Sequence, residues 1–306
     1  MREYLQSLPK AELHLHLEGS IDAGTLAAIN PALDPAEIEA RYHYNTFLEF
    51  LQNFGWVARN LQTPEHYAIA TRHLLRKLAA QNVRYVELTL AVGVLLWKKQ
   101  DVAAVHQAVR EAAAASDVEV WWIWDAVRQW GVEAAGAVAE LAVKHRDDGV
   151  VAFGLGGDET SGPAREFADV FTTARRGGLH LVCHAGEWMG PDSVWQALEV
   201  GAERIGHGVR SIEDPALVRH LADQRIPLEA CPVSNVRTGS IISIEEHPLR
   251  RLFDAGVPIT LNTDDPPMFG TDLLNEYETA ARVFGFSEQE LAQVAANGFA
   301  FAFMRS

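Results

Sequence analysis

The chain has 306 residues, 48% of them hydrophobic and 22% charged, which is ordinary globular composition. Its 26 basic and 41 acidic side chains give a formal net charge of −15, which repels phosphate backbones and anionic lipid. Nucleic-acid and membrane partners are therefore not expected, and a small neutral or cationic ligand is. The first ten residues lack the apolar segment of a signal peptide, and no run of 18 apolar residues occurs, so a cytoplasmic protein is expected. The only cysteines, Cys183 and Cys231, lie in apolar runs and read as reduced core residues.

Short β-type runs alternate with longer helical stretches along the whole chain. The strand candidates are 12–17, 83–90, 118–124, 150–155, 179–184, 204–207, 227–231 and 257–263. Between them, 67–80, 102–115, 132–145, 163–175 and 215–224 carry apolar residues at three- and four-residue spacing. Arg175-Arg176-Gly177-Gly178 places cations in a last helical turn and glycine just beyond it. Eight such β/α units with no break in composition predict an α/β chain folded as one (β/α)8 TIM barrel over residues 1–306. An open doubly wound sheet is the second choice, weakened because Glu18-Gly19-Ser20 follows the first strand in place of a glycine-rich dinucleotide fingerprint.

Four motifs fall at the ends of predicted strands, where barrel enzymes place their active sites. His14-Leu15-His16 puts two imidazoles on one face of the first strand, because side chains alternate with a period of two. By the same parity Glu12, His14, His16 and Glu18 face the barrel interior, while Leu13, Leu15 and Leu17 face the helices. His184-Ala185-Gly186-Glu187, Gly206-His207-Gly208 and Thr263-Asp264-Asp265-Pro266 follow. Three histidines (His14, His16, His184) and Asp264 make a shell for a divalent ion such as zinc, which acidifies water to a pKa near ~7. Iron or manganese fits the same donors.

Glu187, three residues after His184, reads as a carboxyl that desolvation keeps protonated and able to hand a proton to substrate. His207 is either a further ligand or a group that orients and deprotonates the water. With four ligands already at hand, the second role is favoured. Asp265 reads as a hydrogen-bond acceptor for substrate or as the N-cap before Pro266. The glycines of Phe153-Gly154-Leu155-Gly156-Gly157-Asp158-Glu159 allow a ligand to approach bare backbone, or simply make a tight turn. Strand four offers no lysine to bridge two metals, which favours one ion per chain.

The sequence resembles the adenosine deaminase family of the amidohydrolase superfamily. The matching stretches are Leu8 to Ser20, His184 to Glu187, Arg204 to Gly208, Cys231-Pro232-Val233-Ser234-Asn235 and Asn262 to Pro266, in order along nearly the whole chain. The resemblance implies a zinc-dependent aminohydrolase with the ion on His14, His16, His184 and Asp264. It implies that Glu187 protonates purine N1, that His207 and Asp264 steer and deprotonate the attacking water, and that His16 also borders the substrate. Asp265 would bind N7 and the Gly157 backbone N–H would bind N3. The product would be a 6-oxopurine plus ammonia, and the partner a small-molecule purine. Deamination of free adenine, a different mononuclear amidohydrolase activity and a non-catalytic binding scaffold are the competing readings; the presence of every ligand and of Glu187 argues against the scaffold.

One position departs from the common pattern. Many relatives carry aspartate where this chain has Glu18, in contact with the ribose 5′-hydroxyl, and glutamate reaches ~1.5 Å further. Relatives acting on free adenine, and those acting on 6-amino-6-deoxyfutalosine in menaquinone synthesis, resemble this chain there. The stretches 85–90, 96–100 and 125–128 also resemble that bacterial branch. Phe47, Phe50, Leu51 and Phe54, with Trp56 just beyond, predict an amphipathic core helix, with a lid over the pocket as the other reading. Trp121, Trp122 and Trp124 read as packing around the third strand, and the eight histidines outside the motifs, such as His66, His106 and His145, as surface residues. Phe303-Met304-Arg305-Ser306 closes the chain early for the family, so a brief last helix is expected.

Overall fold

The computed structural model describes residues 1–44 and 46–303. Eight parallel strands pair in sequence order to form a nearly closed barrel. They are β1 Lys10–His16, β2 Val83–Leu90, β3 Glu119–Val127, β4 Val150–Gly156, β5 His180–Ala185, β6 Arg204–His207, β7 Leu228–Ala230 and β8 Ile259–Leu261. The expected strands are all present, and the (β/α)8 barrel reading holds. Two edges moved. β1 starts two residues earlier, at Lys10, and β3 runs on to Val127, so Asp125 lies inside a strand rather than after it.

Helices such as Pro64–Ala80, Val102–Ala113 and Gly131–Lys144 wrap the outside, their apolar stripes packed on the outward faces of the strands. Leu15 and Leu17 join this main core, as parity demands, and Leu13 joins a smaller cluster with Ala11, Tyr85, Phe299 and Phe301. Trp122 and Trp124 are buried packing residues, and Cys183 and Cys231 are buried free thiols. The last helix, Glu288–Ala300, runs 13 residues and is opened by a Ser287–Glu290 capping box. It is therefore not the brief last helix expected; residues 304–306 lie outside the described residues. Among the described residues no helix is long and apolar enough to cross a membrane.

The seam between β8 and β1 positions the site. A single parallel bridge pairs Leu15 with Asp264: the His16 N–H donates to the Asp264 carbonyl at 3.0 Å and the Asp264 N–H to the His14 carbonyl at 3.1 Å. Just below it the β1 register is irregular between Glu12 and Leu15. The Asn262 side-chain oxygen takes the freed N–H groups of Leu13 and His14 at 2.8 and 3.1 Å. Glu12 returns the contact by accepting from the Thr263 N–H (3.0 Å) and hydroxyl (2.5 Å). The Asn262-Thr263-Asp264 motif thus closes the barrel as well as placing a carboxylate at its mouth.

Candidate active site

The strand ends bring the motif residues to one place. Donor atoms of His14, His184, His207 and Asp264 all lie within 4.8 Å of one another. His16 joins from the same strand as His14, its Nε2 3.3 Å from Asp264 Oδ1, while His14 Nε2 stands 3.5 Å from that oxygen. Donors about 2.0–2.1 Å from a tetrahedral ion are ~3.4 Å apart, so these spacings match neighbouring corners of a metal shell.

The chemistry of the donors fits an ion as well. His14 Nδ1 lies 2.8 Å from Glu229 Oε2, both buried. That contact holds a proton on Nδ1 and turns Nε2, which has no hydrogen-bond partner among the described residues, toward Asp264 and the other donors. A carboxylate behind a ligand histidine is the usual arrangement for orienting it and raising its basicity. Burial alone would hold the His14 ring neutral, but the Asp264 and Glu229 carboxylates outweigh it and lift the pKa to about 10. A field that strong for a proton is equally strong for a divalent cation. His16, His184 and His207 are held neutral, below their ordinary range, chiefly by burial.

The backbone is distorted where these side chains leave their strands. His207 and Asp264 adopt positive φ values of 64° and 65°. Such left-handed geometry costs a non-glycine residue of order 1–3 kcal/mol and persists where surrounding contacts over-determine it. The flanking glycines make room. A Cβ at Gly206 would stand 2.8 Å from the His14 ring, and one at Gly19 would overlap the Asp265 carboxyl.

Glu187 is buried at the inner end of the same cavity, Oε2 3.6 Å from His207 Nε2 and Oε1 accepting from the Thr238 hydroxyl at 3.2 Å. Burial, then the charges of Asp264 and Glu159, push its pKa up to about 8. Asp265 lines the cavity too. It occupies the N-cap position before Pro266 without a capping hydrogen bond, and its Oδ1 has no partner among the described residues. Gly157 also lines the cavity, with φ +92°. Glu18 does not. It is fully buried behind the wall, where its carboxylate takes the Ala91 N–H at 3.2 and 3.4 Å. Ala91 and Lys98 face the cavity in front of it.

Several contributing residues carry no sequence signal of their own. Glu159 accepts from the backbone N–H groups of Gly186 (2.5 Å), Glu187 (3.0 Å), Trp188 (2.7 Å) and Met189 (3.1 Å), and from the Ser193 hydroxyl (2.5 Å). One carboxylate therefore shapes the loop that presents Glu187. Behind His14, Glu229 accepts from Arg204 Nε at 2.6 Å, and Arg204 also pairs with Glu87. Asp125 lines the cavity among the glycines of β4, close to the His184 ring, and burial raises its pKa to about 7. The surface reading of the spare histidines fails for two of them. His106 is buried edge-on against Trp122 and Trp124. His247 is buried with Nε2 3.2 Å from the Asn235 side-chain oxygen, and Asn235 Nδ2 is 3.1 Å from His207 Nδ1. An apolar neighbourhood hid the first and a three-member chain the second.

The cavity measures about 290 Å³. The helix Phe47–Asn60 covers one side, with Phe47, Phe50, Leu51 and Phe54 in its wall. Phe50 is also part of the core, so the helix serves both readings made of it.

A parallel barrel gathering imidazoles and a carboxylate at the C-terminal mouth defines a metal-site hydrolase architecture. The profile of the adenosine deaminase family matches residues 9–306, so the chain belongs to that family. An aminodeoxyfutalosine deaminase from Streptomyces coelicolor is 40% identical, over 99% of this chain and 82% of its own length. An adenosine deaminase from Klebsiella pneumoniae is 36% identical, over 97% and 94%. Among solved structures, an amidohydrolase from Burkholderia ambifaria with bound zinc superposes with a TM-score of 0.92 at 26% identity, over 99% of this chain and 88% of that one.

Proposed function

We propose that the protein hydrolytically deaminates a 6-aminopurine nucleoside, with aminodeoxyfutalosine favoured over adenosine as substrate. The observation that carries the reading is the convergence of three kinds of group on one cavity. They are bare histidine donors beside Asp264, the buried Glu187 carboxyl 3.6 Å from His207, and the partnerless Asp265 Oδ1. Membership of the family and the 40% identity to an aminodeoxyfutalosine deaminase support it.

His14, His16, His184 and Asp264 would hold one divalent ion, zinc being the natural choice for nitrogen-rich donors and for the zinc-bound neighbour's fold. Bound there, the ion supplies Lewis acidity that lets water act as a nucleophile at neutral pH. The remaining steps belong to the chain. His207, fixed through Asn235, orients the water and takes up its proton together with Asp264. Glu187 donates to purine N1 as water adds to C6. The proton taken from water then passes to the 6-amino group, which leaves as ammonia while the C6 hydroxyl returns a proton to Glu187, giving the 6-oxopurine. Asp265, kept protonated by burial, donates to N7, the Gly157 N–H donates to N3, and His16 borders the ring. Glu18 shapes the sugar side by holding Ala91.

Ammonia release by metal-loaded protein tests the reading. Release is expected from aminodeoxyfutalosine and, more slowly, from adenosine, and Glu187→Gln should lower it at least ~100-fold. No ammonia from either compound, with metal bound, would refute it.

A further inference from the structure

The steps above use the inner end of the cavity and leave its outer half without a role. That half is built by the helix Phe47–Asn60, the helix Val92–Trp97 and the turn Arg128–Trp130. Its chemistry inverts that of the inner end. The carboxylates lining the cavity (Asp125, Glu187, Asp264 and Asp265) cluster around the histidines, whereas the two cations lining it, Arg59 and Lys98, lie toward the outside.

Lys98 is committed: its ammonium donates to the carbonyls of Ala58 at 2.6 Å and Leu61 at 2.5 Å, pinning the end of the covering helix. Arg59 is exposed and has no hydrogen bond or ion pair among the described residues, on a chain with 41 carboxylates. Facing the same space are Trp97 and Trp130, with rings 6.2 Å apart and 26° from parallel. They are 61% and 40% exposed, and among the described residues they are the only aromatics in the set of large exposed apolar side chains. Indole left in water forfeits the burial that a core position would give it. Two stacked indoles and a free guanidinium on one cavity are therefore matched to something that covers both.

Resting on the deaminase reading, we infer that the outer half of the cavity is a subsite for a flat aromatic carboxylate carried on the sugar side of the nucleoside. The aromatic ring lies against Trp97 and Trp130, and the carboxylate pairs with the Arg59 fork, whose planar donors suit a carboxylate bidentately. A phosphate in the same place would leave the indoles wet. A bare 5′-hydroxyl would use neither group. Arg59, Trp97 and Trp130 are thus specificity residues, acting far from the reacting carbon.

The test compares kcat/KM for aminodeoxyfutalosine, a 6-aminopurine nucleoside with a carboxyphenyl group on its 5′ side, with that for its analogue lacking the carboxylate, for adenosine and for adenosine 5′-monophosphate. In Arg59→Gln the ratio of aminodeoxyfutalosine to adenosine should fall ~10–100-fold, mostly through KM. Deleting the carboxylate from the substrate should cost the wild type that same factor and cost Arg59→Gln little. Replacing Trp97 and Trp130 together by alanine should lower the ratio again, with thermal melting confirming an intact fold. An unchanged ratio overturns the subsite. So does a wild-type preference for the monophosphate that Arg59→Gln removes. If the metal-loaded protein turns over no 6-aminopurine, the deaminase reading fails on its own. Calorimetry with the 6-oxopurine product of aminodeoxyfutalosine then reads the subsite separately, and equal affinity or no binding in wild type and Arg59→Gln overturns it too.

Discussion

The two ends of the cavity are built in opposite ways. At the inner end three groups are buried at strand ends and held from behind by a second polar residue: His14 by Glu229, His207 by Asn235, Asp264 by Ser234 at 2.7 Å. At the outer end the groups sit on helices and a turn, are partly exposed, and in the case of Arg59 are held by nothing among the described residues. Precise placement is needed where bonds change, and a fixed shell provides it. Recognition of a substituent tolerates looser placement, so the outer end is where relatives of one fold can differ in substrate.

Four experiments would break or sharpen this contrast. The largest effect is expected from removing the metal with a chelator. Ammonia release should vanish and the melting temperature fall, both returning on addition of zinc, because the uncompensated cluster of carboxylates loses its counter-charge. Next is Glu229→Gln, which leaves Arg204 with one carboxylate partner and His14 with a weaker acceptor. Metal affinity, read by competition with a chromophoric chelator, should drop ~10–100-fold. An unaltered affinity would mean that the buried Arg204 network serves packing alone. Third, Glu159→Gln should reduce kcat by ~10-fold or more while shifting KM little. It weakens the cradle of four N–H groups and removes a charge near Glu187. Equal changes in both constants would show that the loop binds substrate rather than presenting Glu187.

The smallest effect concerns stability against pH. Glu276 is fully buried beneath the site, accepting from the Thr271 hydroxyl at 2.8 Å and the Val233 N–H at 3.3 Å. Burial raises its pKa to about 8. A carboxyl raised in the folded state contributes stability that is full below its unfolded pKa and is lost as pH climbs through 8. Glu276→Gln keeps an acceptor for Val233 and cannot ionise. Its melting temperature should exceed the wild type's at pH 9 by a few degrees, with the gap closing toward pH 5. A constant gap would locate the effect in hydrogen bonding instead.

Much of the inner end was legible because barrel geometry turns sequence position into place. His14, His16, His184, His207 and Asp264 stand at predicted strand ends, and period two puts both histidines of β1 on the inner face. What was not legible came from across the barrel. Nothing near Glu229 says that it lies behind His14, 215 residues away. Nothing near Glu159 says that it caps a loop in the next β/α unit. Asp125 was lost for a different reason. The apolar run of β3 ends at Trp124, so an aspartate reads as the end of a strand, whereas the polar interior of this mouth accepts it as a strand residue. Glu18 shows the converse limit, since its number in the chain was informative but its direction was not.

The seam between β8 and β1 carries one more consequence. The backbone groups that close the barrel belong to His14, His16 and Asp264, the same residues whose side chains form the cluster. Residues near the two termini must meet before either the sheet is complete or the donors assemble, and such distant pairings come late in folding. A nascent chain on the ribosome thus has no assembled ion-binding shell until nearly all of it has emerged. Any ion these donors hold would therefore be captured only after the segment carrying Asp264 has paired with β1.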